Sequence, residues 1–367
     1  MHRVRPPDQT SARGRLRLGC VAMSRTLLAV DGNSLLHRSF HASARTGFRT
    51  PDGRPMWAVR GLLSHLVAAV DRVCADALVV GFDDPDASVR RERWPSYKAH
   101  RAPKPHTLED QLRSAVDVLR DLGVVVVVPP GLEADDVLAS AAAYAPTVGA
   151  RTVVATSDRD SFQLIDEHTK MLRILNGGVD ASPLLDPRRL VLVTGVRPEQ
   201  YLDYAALRGD TSDNLPGVAG IGPKTDARLL EEFGSAAAAF DDAAGDGVRC
   251  AKAVGRATTR RLADPSARET WEHNCRVMTM QPTAELSLDL QAGVGCLPLD
   301  VEAVRETFDR MDLHVPTAVR ALTGTVVPEP QPRDVDAGWV PRTRRTAMRH
   351  PPLPRPAEPT FVQETLF

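Results

Sequence analysis

Several things are scarce in this chain, and each scarcity removes a class of function. There are five cysteines in 367 residues, at Cys20, Cys74, Cys250, Cys275 and Cys296, and no two form a CxxC pair. An odd, scattered set excludes a disulfide framework and a structural zinc site, and it fits a reducing compartment. No apolar run approaches the length of a transmembrane helix, and the short run around Val21 is too brief for a signal-peptide core. The expected location is cytoplasmic, with no membrane partner. Charge of one sign is also missing: 46 Lys+Arg against 47 Asp+Glu leaves a net charge of -1. Any surface for nucleic acid must therefore be local.

What is present is enough apolar material, 43% of residues, for one large or two small domains. Residues 1–22 carry five arginines and no hydrophobic period, and are expected to be a disordered extension. Met23, next to the first strand, is the expected true start. Three short apolar runs then each end in an acid: Leu27–Val30 before Asp31, Leu78–Phe82 before Asp83, and Thr152–Ser157 before Asp158. A fourth, Val124–Val128, leads into Glu133, Asp135 and Asp136. Runs of this kind, separated by helix-length segments such as Val59–Val73 and Leu108–Leu122, predict buried parallel strands of an α/β sheet. Ligands of open α/β sheets bind outside the carboxyl ends of the strands, where all four runs place their acids. Like charges this close repel, and a helix N-terminus favours each anion by only about 0.3–1 kcal/mol. The cluster predicts a bound cation.

Two further stretches carry chemistry. Ser88–Lys104 holds six Lys/Arg, one acid and two aromatics, Trp94 and Tyr97. Cations interleaved with aromatic faces suit a single-stranded nucleic acid, the first for phosphates and the second for bases. From Asp186 the pattern turns helical, over Pro187–Val193, Pro198–Leu207 and Lys224–Phe233. A loop interrupts it, Gly209-Asp-Thr-Ser-Asp-Asn-Leu-Pro-Gly-Val-Ala-Gly-Ile-Gly-Pro-Lys-Thr225. Pro223 separates Gly222 from Lys224 and Thr225, so the loop is not a nucleotide-binding P-loop. A glycine turn entering a helix instead offers backbone N–H groups to a phosphate, with Lys224 beside them. Trp271–Met280 and Val301–Met311 read as closing helices, and 325–367, rich in Pro, Arg, Glu and Thr, as a disordered tail.

Counted together, Asp31, Asp83, Glu133, Asp135, Asp158, Asp160, Asp210 and Asp213 stand at strand ends or in the glycine loop. Hard oxygen ligands without convergent histidines or thiols specify Mg²⁺ or Mn²⁺. Two such ions about 3.5–4 Å apart position and ionise water at a phosphodiester. His37 and His41, spaced i, i+4, lack a third ligand nearby and read as a helix face. Trp57 and Trp94 read as packing residues.

At this point the chain resembles the 5′-nucleases: flap endonucleases, phage 5′-exonucleases and the N-terminal nuclease domain of bacterial DNA polymerase I. The likeness runs from about Thr26 to Met311, through Val30-Asp-Gly, Gly81-Phe-Asp, Tyr97-Lys-Ala-His-Arg-Ala-Pro, Glu133-Ala-Asp-Asp, Ser157-Asp-Arg-Asp and Gly209-Asp-Thr-Ser-Asp-Asn-Leu-Pro-Gly-Val. It implies a PIN-like α/β fold over 23–185 with a basic arch at 84–105, followed by a helical part with a helix–hairpin–helix over 186–324. It also implies that Asp31, Asp83, Glu133 and Asp135 hold one ion. Asp158, Asp160 and Asp213 hold a second, with Asp135 between them, and Asp210 and Asp136 act through water or from behind the ligands. Lys98 and Arg101 then contact the scissile phosphate, Tyr97 stacks on an unpaired base, and Arg90 and Arg91 steer the strand. Gly217, Gly220, Gly222, Lys224 and Thr225 grip duplex DNA, with K⁺ as in relatives; Asp226 departs from a common alanine and is expected to weaken that grip. The expected activity is Mg²⁺-dependent cleavage near the 5′ end of flapped, nicked or gapped DNA, by a monomer, in primer removal and repair. A PIN-type ribonuclease and a non-catalytic structure-specific DNA-binding protein are the alternatives. The final Gln363-Glu-Thr-Leu-Phe367 resembles the bacterial sliding-clamp-binding pentapeptide, with Gln363, Leu366 and Phe367 as its contacts.

Overall fold

The computed structural model describes residues 24–312 and 316–324. The readings of 1–22, Met23 and 325–367, including the clamp contacts Gln363, Leu366 and Phe367, lie outside the described residues.

Six strands form one sheet: β1 (Thr26–Asp31), β2 (Ala77–Gly81), β3 (Val125–Val127), β4 (Arg151–Thr156), β5 (Thr169–Arg173) and β6 (Leu184–Leu185). Their order is β3-β2-β1-β4-β5-β6, all parallel except β6, which runs antiparallel to β5. The helices of the sheet half are α1 (Gly32–Ser43), α2 (Trp57–Val73), α3 (Val89–Arg93), α4 (His106–Asp121) and α5 (Ala134–Thr147). There follow α6 (Pro187–Thr194), α7 (Tyr201–Arg208), α8 (Pro223–Phe233), α9 (Ala236–Ala244), α10 (Val248–Val254), α11 (Arg256–Leu262), α12 (Pro265–Met278), α13 (Val301–Arg310) and α14 (Pro316–Thr323). A two-stranded ribbon, β7 (Gly209–Asp210) with β8 (Leu215–Pro216), interrupts the helical part.

The unbroken apolar runs are explained by burial on both faces of the sheet. Leu28 and Val30 of β1, with Leu78 and Val80 of β2, pack among Leu35, Leu62, Leu66 and Leu119 of α1, α2 and α4. The alternate residues, Leu27, Ala29, Ala77 and Val79, meet Val137, Leu138 and Ala141 of α5. Gly81 lets α5 lie close to the end of β2, because a Cβ there would come within 2.7 Å of the Val137 Cβ. Close packing at that point sets the first turn of α5 over the strand ends.

A second core joins Met171 and Leu185 of the sheet to Tyr201, Leu207, Leu229, Phe240 and Val277 of the helical part. The chain then returns. Leu78 N donates to Gly295 O at 2.9 Å and Leu297 N to Asp76 O at 2.9 Å, and Val304, Phe308, Ala318 and Leu322 of α13 and α14 join the α1–α2–α4 core. These two helices fall within the stretch 186–324 that the sequence assigns to the helical part, yet they pack on α2 and α4, which cover one face of the sheet. Among the described residues no helix is long and apolar enough to cross a membrane.

Candidate active site

Parallel register brings the strand ends level, with Asp31 opposite Gly81 and Gly81 opposite Val127. Asp31 sits at the reversal of strand order between β2 and β4. One of its oxygens caps α1 by accepting from Ser34 N at 2.8 Å, and the other accepts from Thr156 Oγ1 at 2.7 Å. Asp83 accepts from Asn33 Nδ2 at 2.7 Å and from Ala134 N at 2.9 Å, tying β2 to the first turn of α5. Glu133 is the N-cap of α5 and Asp135 lies in its first turn. Across β1, the turn after β4 contributes Asp158 and Asp160, whose backbone N–H donates to Asp158 Oδ1 at 3.0 Å. Ribbon β7–β8 adds Asp210 and Asp213. Oxygens of Asp160, Asp210 and Asp213 lie within 4.8 Å of one another, close enough to share one metal ion.

These carboxyls repel one another in a place poor in water. Asp31 is pushed up to about 7 by burial, its bonds from Ser34 and Thr156 offsetting only part, with Asp83 and Asp158 adding to the rise. Asp160 is pushed up to about 8 by burial and by Asp158, Asp210 and Asp213. Burial, then Asp158 and Asp31, hold Asp135 well above the carboxylate range. Burial raises Asp83 and Asp213 as well. Such a cluster is stable as anions only beside added positive charge. Its donors are all oxygens, so the residues present fit hard divalent cations.

On the basic side, Lys98 Nζ donates to Glu133 Oε1 at 2.9 Å, and Lys98 N donates to Asp213 O at 3.0 Å. Arg101 pairs with Asp213 and donates from Nε to Ser212 O at 3.2 Å. Both cations therefore touch the acid cluster. Three expectations from the sequence are corrected here. Arg90 does not face a strand path: it is 8% exposed, binds both oxygens of Asp136 at 2.7 Å, and donates to the Val277 and Thr279 carbonyls. Asp136 reaches no ion through water, because it is 0% exposed; its oxygens also accept from Glu133 N and Gln281 N, which leaves it the place behind the ligands that the resemblance also allows. Tyr97 offers no face to a base; it is 5% exposed, its hydroxyl donates to Glu133 Oε2 at 3.0 Å, and the Lys98 ammonium lies 4.6 Å from its ring centre. The signal for Arg90–Asp136 was present as a basic and an acidic residue beside site motifs, but sequence does not distinguish a buried pair from two exposed charges. Arg91 is exposed on α3.

In the hairpin, Gly217 is forced by close approach, since a Cβ would collide with the Arg208 carbonyl, and Gly220 has φ +75. Gly222 caps α8, with Pro223 in its first turn and Lys224 and Thr225 following. His37 and His41 share one face of α1 and belong to no metal-binding group among the described residues. Trp57 packs on Phe40 and donates to its carbonyl, and Trp94 sits edge-on to His273.

A cavity of about 570 Å³ opens beside Asp158, Asp160 and Asp210, lined also by Ser34, Ser157, Arg159, Arg208 and Thr211. Sequence reasoning missed Arg159 and Arg208. The first lies inside Ser157-Asp-Arg-Asp and the second immediately precedes the glycine loop, so their positions beside site acids were the available signal.

Residues 26–191 match the family model of the 5′-3′ exonuclease N-terminal resolvase-like domain, and residues 196–296 that of the 5′-3′ exonuclease C-terminal SAM fold. The chain is similar to DNA polymerase I of Mycobacterium tuberculosis, 34% identical over 290 residues, covering 79% of this chain and 31% of that protein. Thermostable DNA polymerase I of Thermus aquaticus is 42% identical over 209 residues, 57% of this chain and 24% of that one. The chain thus spans about a third or less of the length of these relatives. Among solved structures, bacteriophage T5 5′-exonuclease with bound zinc superposes with a TM-score of 0.55 at 19% identity, covering 82% of this chain and 97% of that one. Human GEN1 in complex with Holliday junction DNA gives 0.51 at 14% identity, covering 81% and 70%. At these identities the likeness is one of fold.

Proposed function

The chain belongs to the 5′-3′ exonuclease family, whose two domain models match residues 26–191 and 196–296, and from that premise we propose that it is a structure-selective 5′-3′ exonuclease and flap endonuclease. Its reaction is hydrolysis of phosphodiester bonds near the 5′ end of flapped, nicked or gapped DNA. One observation carries this reading: acids from the ends of β1 and β2, the β3–α5 turn, the β4 turn and the β7–β8 ribbon lie close enough to repel one another in one oxygen-only site, with Lys98 and Arg101 against it.

Two Mg²⁺ or Mn²⁺ ions are the proposed cofactors, Asp31, Asp83, Glu133 and Asp135 holding one and Asp158, Asp160 and Asp213 the other, with Asp135 between them and Asp210 behind. When bound, such ions supply an ionised water and offset charge on the leaving oxygen. Lys98 holds an ammonium at the Glu133 edge of the site, where it neutralises charge that grows on phosphoryl oxygens. Arg101 presents a guanidinium fork from the Asp213 side. Backbone donors of the hairpin 217–225, with Lys224 and a K⁺ ion, hold the duplex phosphates. The further proposals are a cytoplasmic monomer acting in primer removal and repair, tethered to the sliding clamp through Gln363, Leu366 and Phe367. T5 5′-exonuclease with bound metal and GEN1 with bound DNA support the reading, as proteins of the same fold. The complete set of acids disfavours a non-catalytic DNA-binding protein, and the hairpin disfavours a ribonuclease.

The test is incubation of purified protein with a labelled 5′-flap duplex, its single strand and the matching RNA, with and without Mg²⁺. Cleavage of the flap duplex only with Mg²⁺ is the expected result. Preferential cleavage of RNA, or none of any substrate, overturns the reading.

A further inference from the structure

The ribbon that carries Asp210 and the hairpin that follows it meet at Arg208. This residue ends α7, and its carbonyl is pressed against Gly217 so closely that a Cβ there would collide with it. Its neighbour Leu207 accepts from Val218 N at 2.8 Å. Main chain at 207–209 is thus locked to the first turn of the hairpin, and two residues later it delivers a metal-site acid. The Arg208 side chain lines the 570 Å³ cavity, with Asp158, Asp160 and Asp210. Its guanidinium carbon lies 5.2 Å from the Tyr204 ring centre, a stacked arrangement that limits its rotation.

A cavity walled by acids repels a polyanion unless cations stand in the same wall. Lys98 lies on the other side of Asp158 and Asp160, in the adjoining pocket with Glu133 and Asp213. On the cavity side that part falls to Arg159 and Arg208. Of the two, Arg208 is fastened to the hairpin. Tyr204 bonds to its side chain and Asp226 attracts it, but among the described residues it takes part in no ion pair, so its fork is not closed by an internal salt bridge. A guanidinium in this state matches the two non-bridging oxygens of a phosphate.

We propose that Arg208 binds one phosphate of the strand being cut, on its path from the hairpin to the scissile bond, and so sets how far from the hairpin cleavage falls. This rests on the nuclease reading above. The ligand class is a phosphodiester of duplex DNA, recognised by charge and position and not by base.

The experiment uses the full chain and a labelled 5′-flap duplex carrying one uncharged methylphosphonate at a time along the cut strand. Affinity is read by fluorescence anisotropy with Ca²⁺ in place of Mg²⁺, and cleavage position and KM with Mg²⁺. In the wild type, neutralising one phosphate on the duplex side of the cut is expected to weaken binding by about tenfold or more, as for hydrogen bonds to a charged group. Arg208→Ala should lose a similar factor on the unmodified substrate, show no further loss at that phosphate, and have a salt slope shallower by about one. Its cleavage should spread over neighbouring positions, and Arg208→Lys should recover part of the affinity. An Arg208→Ala profile identical in shape to that of the wild type overturns the proposal. If Arg208→Ala melts below the wild type, Arg208→Lys and Arg208→Gln carry the same comparison. Wild-type protein that binds the series but does not cut it refutes the nuclease reading and leaves this assignment to be decided by the binding profiles.

Discussion

Arg90 and Asp136 grip each other as a two-pronged ion pair, each guanidinium prong 2.7 Å from a carboxylate oxygen, with Asp136 wholly enclosed. The pair fastens α3 to the first turn of α5, and through Gln281 N and the Val277 and Thr279 carbonyls it also fastens the end of α12. Glu133 and Asp135, which precede Asp136 in that turn, are thereby aimed at the site.

Removing one partner strands the other without solvent or counter-charge. Arg90→Ala is expected to cost about 3–5 kcal/mol of stability, read from urea unfolding. A loss of DNA affinity at unchanged stability would instead return Arg90 to the strand path.

Lys98 is held in the left-handed backbone region, at φ 56, a conformation that costs a non-glycine residue about 1–2 kcal/mol. Burial disfavours its charge, but Glu133 and Asp213 outweigh burial and keep the ammonium above its ordinary value. Lys98→Ala should slow single-turnover cleavage by about 10²–10³-fold, the scale of one lost transition-state donor, while flap affinity falls only a few-fold. Equal losses in rate and affinity would mark Lys98 as a binding residue alone.

The raised acids make metal binding and stability depend on pH in opposite senses. A carboxyl whose folded pKa lies above its unfolded value binds its proton more tightly when folded, so metal-free protein is stabilised at low pH. That stability is lost as pH rises through about 7 for Asp31 and about 8 for Asp160. Divalent ions displace those protons and restore stability. Melting temperatures should therefore fall between pH 6 and 8.5 without metal, and the rise produced by Mg²⁺ should be larger at pH 8.5. A Mg²⁺ effect that shrinks with pH contradicts this.

Asp226, in the first turn of α8, is 0% exposed, and neither of its oxygens has a hydrogen-bond partner. Burial pushes it up to about 8, with Arg208 countering part of the rise. Asp226→Ala removes an unsatisfied buried acid and should stabilise the protein by about 1–3 kcal/mol. The gain should be larger at pH 9 than at pH 6, since the carboxyl ionises in between. Destabilisation at both pH values would show that Asp226 has a partner that only the functional state supplies.

Much of the sheet was legible because it is buried on both faces: the runs at Leu27, Leu78, Val124 and Thr152 became β1–β4 within a residue or two. β5 was not, since Thr169-Lys-Met-Leu-Arg173 has only two consecutive apolar residues between two cations, with Lys170 facing solvent. Nor was the return of α13 and α14 to α4 and α2, which depends on contacts as far apart in sequence as Arg310 and Asp121. Within the site, acids at strand ends were readable from position alone. What sequence could not divide was charge used inward from charge used outward. Arg90, Asp136 and Tyr97 sit in the same short motifs as Lys98, Glu133 and Asp135, and only packing against α12 and the Gln281 segment separates them.

The account stands on carboxylates from five parts of the chain sharing divalent ions, and Mn²⁺ binding measured by calorimetry at pH 8 tests that most directly. Wild-type protein should bind two ions, and Asp135→Ala, which removes the acid between them, should bind fewer and more weakly with its melting temperature in metal-free buffer unchanged or raised. Equal stoichiometry and affinity in the two proteins would contradict it.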